Sequence, residues 1–241
     1  MRGFRLLGFI LFILVSACTS TTSKNSDPWE NWNRKVFKFN KVMDESIARP
    51  ITSGYKAVTP DFIETGVSNA FNNLRDIPTS FNNLLQGKPL DFLSDLSRFI
   101  VNTTLGIGGL WDPASSMNLE KHDEDFGQTL AKWGVADGPY MMIPFLGPST
   151  LRDISAYPVD SKVDLINQIE HQLTRYEFVA LELIDKRSAL MQYEEQLESV
   201  SDEYSFIRDI YLQNRTYKVF DGEIPLDDNF DCEDDDEDCD F

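Results

Sequence analysis

The chain has 241 residues, with 22 Lys and Arg against 40 Asp and Glu, and its formal net charge of -18 argues against a nucleic-acid partner, whose phosphates it would repel. Without the leader described next, about 220 residues remain, enough for one domain. Two histidines and three cysteines, with no nucleophile elbow, zinc-protease helix, Cys-x-x-Cys or Walker loop, give no catalytic or metal centre, so the expectation is a non-enzyme without cofactor.

Arg2 and Arg5 precede an apolar run from Leu6 to Val15 and the small residues Ser16 and Ala17 before Cys18. The run is too short for a membrane span and reads as a cleaved export signal over residues 1–17. Cys18 stands where a lipobox cysteine would take a diacylglycerol and become the new N-terminus; an ordinary signal with an incidental cysteine is the alternative. Thr19 in place of an Asp favours the outer membrane, on its periplasmic side. Residues 18–26 form a short polar tether.

Asp27, Pro28 and Glu30 predict a capped first helix. Its apolar positions are Trp29, Trp32, Val36, Phe39 or Asn40, Met43 and Ile47, and Arg49-Pro50 should end it. Its aromatic residues Trp29, Trp32 and Phe37 are read as core, with a membrane-interface helix as the competing reading. Thr59-Pro60-Asp61 opens a second helix, Pro78 restarts a short one, Gly87 terminates it, and Pro89 opens the next.

Two apolar stretches interrupt the helices. Gly106, Ile107, Gly108, Gly109 and Leu110, followed by Trp111, are too apolar for an exposed linker and lack the strand and lysine of a phosphate loop. After a helix through Phe126, Leu130 and Trp133 comes a segment holding Pro139, Tyr140, Ile143, Pro144, Phe145, Gly147 and Pro148, whose prolines forbid a regular helix or central strand. Such backbone must bury its side chains in a core, a partner or lipid. His122, beside Asp123, Glu124 and Asp125, is read as a solvated helix start rather than a metal ligand.

Charged helices should follow from Val159 to Val219, and no strand alternation is evident. The fold expected is all-α: a single helical domain over residues 27–220, then a disordered acidic tail over residues 221–241. With Cys18 lipidated, Cys232 and Cys239 in that tail are either a small disulfide loop or two free thiols.

Five stretches together resemble the MlaA (VacJ) lipoproteins. They are Asp27-Pro28-Trp29-Glu30-Asn31-Trp32-Asn33-Arg34, Asn83-Leu84-Leu85-Gln86-Gly87-Lys88-Pro89, residues 98–109, Asp125-Phe126-Gly127-Gln128-Thr129-Leu130, and residues 138–153. The resemblance implies a ring-like helical protein with a central amphipathic channel, lying in the inner leaflet of the outer membrane. It further implies removal of phospholipid misplaced in the outer leaflet, delivery to a soluble periplasmic MlaC-like carrier, and association with a trimeric porin. The two apolar stretches, residues 106–110 and residues 139–148, then become lipid-channel candidates. The competing function is a structural adaptor bound to a porin, with no lipid route.

Overall fold

The computed structural model describes residues 27–223. The expectations for the leader, Cys18, the tether, Cys232, Cys239 and most of the acidic tail lie outside the described residues. What is described is overwhelmingly helical, as expected, and carries one small hairpin.

Helix α1 is Glu30–Met43, followed by a π-turn at Asp44–Ala48 and by α2, Arg49–Val58. The helix therefore does not stop at Arg49-Pro50. Pro50 falls in the first turn of α2, after the wider i→i+5 turn has shifted the hydrogen-bond ladder, where a missing N–H is tolerated. The expected capping box is also absent: α1 has Trp29 at its N-cap, with no side-chain cap. Asp27 is instead buried, accepting from Asn33 Nδ2 at 2.7 Å and from the Tyr204 hydroxyl.

Helix α3 spans Asp61–Leu85 and keeps Pro78 inside it rather than restarting there. The turn through Gly87, whose φ of 83° suits a residue without Cβ, leads into α4, Pro89–Thr104, with Pro at its first position as expected. The two helices pack with polar contacts: Asn83 Nδ2 donates to Asp95 Oδ2 at 2.8 Å and Asn73 Nδ2 to Thr103 Oγ1 at 2.9 Å.

A short helix α5, Pro113–Ser116, and α6, Phe126–Lys132, follow, capped by Asp112 and Asp125. Then comes a feature the sequence reading denied, an antiparallel hairpin of β1, Tyr140–Ile143, and β2, Gly147–Thr150. Pro148 pairs with Met142 in its register. A two-stranded ribbon has only edge strands, so a residue without an N–H is accepted there. Helices α7 (Leu151–Val163), α8 (Gln172–Leu190), α9 (Glu194–Glu198) and α10 (Glu203–Val219) follow among the described residues.

The apolar core is small and sits where α1, the hairpin and α10 meet. Val36, Tyr140, Met142 and Tyr204 are buried together, with Phe37, Tyr211 and Leu212 against them. Tyr140 stacks edge-on to Tyr204 and Tyr211, with centroids 6.3 and 6.1 Å apart. Two asparagines of α1, two helical turns apart, hold the hairpin by its backbone. Asn33 accepts from Met142 N at 3.0 Å, and Asn40 donates to Ile143 O and accepts from Phe145 N, both at 2.9 Å. Helix α10 is tied down by Arg215, which donates to Asp125 at 2.6 and 2.7 Å and to Asp153 at 2.7 Å.

Candidate functional site

Among the described residues, many polar side chains are buried and many large apolar ones are exposed. Buried polar groups include Asn33, Thr52, Asn73, Asp76, Ser80, Asn83, Asp95, Arg98, Asn102, Gln128, Thr129 and Arg152. Exposed large apolar residues include Trp32, Val58, Phe62, Leu90, Leu93, Ile107, Trp111 and Phe145. Charged and amide side chains are rarely buried in a water-soluble domain. A polar interior behind an apolar surface is the arrangement that lipid favours as solvent. Among the described residues, no helix is long and apolar enough to cross a membrane. Amphipathic helices of this kind can lie in one leaflet with their apolar faces in the acyl region.

This arrangement is built at helical spacing. On α4, Asp95, Arg98 and Asn102 are buried while Leu90, Leu93 and Ile100 are exposed. On α3, Asn73, Asp76, Ser80 and Asn83 turn inward while Phe62, Phe81 and Leu84 are exposed. Burial pushes the Asp76 carboxyl up to about 7, against the opposing pull of Arg98 and Lys121. Burial also raises Asp112, but hydrogen bonds from Ser115 and then Arg98 outweigh it and hold that carboxyl at about 2.

A second polar seam runs along α3 and α8. Ser68 Oγ donates to Asp185, Ser188 Oγ donates to Glu64, and Arg75 Nη2 lies 2.5 Å from Glu182 Oε1. A cavity of about 300 Å³ opens between α2, α3 and α8, and a smaller one of about 110 Å³ lies further along α3 beside Lys121 and His122. Sequence reading missed this seam. Its signal was present in the spacing of Ser68, Asn72, Arg75 and Thr79 on α3, a stripe that in a water-soluble protein would mark the outer face.

The sequence-derived channel candidates fall into two groups seated on different helices. Gly106 to Leu110 lie against α3: a Cβ on Gly109 would come within 2.7 Å of Asn73 Nδ2, and one on Gly66 would meet the Leu110 carbonyl at 3.4 Å. Gly106 and Gly109 are buried, whereas Ile107 is 74% exposed and holds a φ of 55° that a β-branched residue rarely adopts. Gly108 and Leu110 are exposed beside it.

The second group sits on α1 and α10. Tyr140 is fully buried in the core, and Pro139, Ile143, Gly147 and Pro148 are half-buried. Pro144 and Phe145 are exposed at the hairpin tip, Phe145 with a φ of 65° and its ring edge-on to Phe39 at 5.2 Å. Trp29 and Trp32, read as core, are exposed at 44% and 62%, because the side of α1 that turns inward carries Asn33 and Val36. His122 contacts Asp95, with Nδ1 3.2 Å from both carboxylate oxygens, and no metal-holding group of acidic, His or Cys residues occurs among the described residues.

Comparison with known proteins accords with this architecture. The family model of the MlaA lipoprotein matches residues 25–218, well beyond the stretch from 27 to 153 that carries the motifs. The intermembrane phospholipid transport system lipoprotein MlaA of Escherichia coli K12 is 32% identical over 223 residues, 90% of this chain and 88% of that protein. A Rickettsia typhi protein is 33% identical over 208 residues, 86% of this chain and 81% of its own length. A solved structure described as the structural basis for maintenance of bacterial outer membrane lipid asymmetry superposes with a TM-score of 0.72 at 31% identity, covering 80% of this chain and 98% of that one. The chain belongs to the MlaA lipoprotein family.

Proposed function

We propose that this protein is an outer-membrane lipoprotein that takes mislocalised phospholipid from the outer leaflet and passes it to a soluble periplasmic MlaC-like carrier, so maintaining lipid asymmetry. The observation that carries this reading is the burial of many polar side chains beside many exposed large apolar ones. Exposed apolar faces suit a body lying in the inner leaflet, and the polar seam between α3 and α8 suits a wet path for headgroups through a ring-like body. The E. coli relative, named as part of an intermembrane phospholipid transport system, supports the same reading. Acylated Cys18 would anchor the chain, and a trimeric porin would hold it laterally. Nothing in the transfer makes or breaks a covalent bond, which agrees with a sequence lacking catalytic motifs.

In cells from which the native gene is deleted, surface-exposed phospholipid, read with a membrane-impermeant amine label, should rise and return to baseline on re-expression. A Cys18→Ser variant should fail to restore it and should incorporate no palmitate. An unchanged surface signal on deletion, together with purified protein that retains no phospholipid, would leave the porin-bound adaptor as the better account.

A further inference from the structure

The cavity between α2, α3 and α8, about 300 Å³ in volume, is lined by Lys56, Glu64, Ser68, Asp185, Ser188 and Gln192 among others. Each serine is spent on one carboxylate oxygen, Ser68 on Asp185 Oδ1 and Ser188 on Glu64 Oε1. The second oxygen of each carboxylate is left clear of these hydroxyls. Lys56 Nζ stands 3.8 Å from Glu64 Oε1, beyond hydrogen-bond reach, so two carboxylates face one ammonium.

The neighbouring Tyr55 hydroxyl is buried with no hydrogen-bond partner, as is Thr52 Oγ1 on the same face of α2. Burial first, then the charges of Glu64 and Asp185, raise the Tyr55 phenol, which sets it in the field of both. A polar ligand that both donates and accepts would match the lysine and the two carboxylates that line the cavity. Thr65 and Ala189 complete the lining, whose residues are predominantly polar. A lipid bound here would place its headgroup in this polar hole and leave its acyl chains outside it.

We propose that this cavity receives a phospholipid headgroup bearing a primary ammonium, an aminoethyl phosphate, with the ammonium donating to Glu64 and Asp185, the phosphate accepting from Lys56, and the acyl chains lying outside the cavity. The proposal rests on the lipid-transfer reading and adds selectivity to it. A trimethylammonium head has no N–H to give the carboxylates. A glycerol head brings a phosphate to them without a compensating cation.

The test uses the full chain in nonionic detergent, equilibrated with equal amounts of phosphatidylethanolamine, phosphatidylcholine and phosphatidylglycerol of identical acyl chains. Lipid that stays with the protein through gel filtration is quantified by mass spectrometry. The ethanolamine lipid should be enriched about tenfold over each competitor, the scale of one hydrogen bond to a charged group. Enrichment should fall in Asp185→Asn, which keeps an acceptor for Ser68, and approach unity in Glu64→Gln/Asp185→Asn. Equal retention of the three lipids by the wild-type chain, or enrichment that survives in Asp185→Asn, overturns the headgroup assignment and leaves lipid transfer standing. Retention of no phospholipid at all overturns both.

Discussion

Arg98 Nη2 meets Asp112 Oδ2 at 2.8 Å, and the two residues bracket the glycine loop, so one ion pair clasps the ends of the segment that carries Ile107 and Leu110. Asn102 reinforces the clasp, donating to Asp112 Oδ1 at 2.9 Å and accepting from Ala114 N at 3.0 Å. The Arg98 side chain is almost wholly buried. Among the described residues, removing Asp112 leaves the buried Arg98 with only Asp76, 3.7 Å from Nε, as a counter-charge and also removes the cap of α5, so Asp112→Ala should destabilise the protein by about 3 kcal/mol. Denaturant unfolding in detergent measures it, and a loss below about 0.5 kcal/mol would contradict the clasp.

Asp76 and Asp112 flank Arg98 and titrate in opposite senses. The folded Asp76 carboxyl, near 7 against an ordinary 3.8, binds a proton that the unfolded chain has already released. Its contribution to stability is therefore present below about pH 4 and lost as the pH rises to about 7. For Asp112, held at about 2, the contribution is present above about pH 4 and lost as the pH falls through 2. Asp76→Asn should flatten the stability profile between pH 4 and 7. Unfolding curves across that range should slope downward less steeply in the variant than in the wild type, since Asp160, raised by burial to about 6, still contributes there.

Tyr140 is fully buried with its hydroxyl unpaired. Tyr140→Phe keeps the edge-on contacts with Tyr204 and Tyr211 and removes the stranded oxygen, so it should leave stability unchanged or raise it by about 1 kcal/mol. A melting temperature clearly below that of the wild type would show that the hydroxyl has a partner.

Ile107→Glu separates folding from function. The residue is mostly exposed, so the change should cost the isolated fold no more than about 0.5 kcal/mol. If the loop faces acyl chains, a carboxylate there is costly in the membrane, and clearance of surface phospholipid should fall. Ile143→Glu, at a half-buried strand position held by Asn40, should lose helical content as well. Circular dichroism and the surface-label assay on the same two variants distinguish these effects; full clearance by Ile107→Glu would remove the loop from the lipid route.

Local chemistry was the legible part of this fold. Gly87 with Pro89 lies where turn rules put it and the helix through Phe126 where apolar spacing put it, because those signals act over a few residues, although the capping box expected at Asp27 did not form. The hairpin was hidden because four-residue strands are too short to display alternation and Pro148 argued against one. The assignment of Trp29 and Trp32 to a core failed for a different reason. It assumed water outside, whereas α1 turns Asn33 and Val36 inward and its tryptophans out. The same assumption concealed the α3–α8 seam, since Ser68, Asn72 and Arg75 look like a solvated face until the other face proves to carry Phe62 and Phe81.

The scarcity of buried apolar side chains has a calorimetric consequence. Heat capacity and denaturant sensitivity both follow the apolar surface that unfolding newly exposes to water. Much of this chain's apolar surface lies outside the fold already, so both quantities should be small for its length, giving a shallow stability curve and a broad thermal transition. Added lipid or detergent that covers the exterior only while the chain is folded should shift that curve upward by mass action. The protein's melting point would then be set as much by its surroundings as by its sequence.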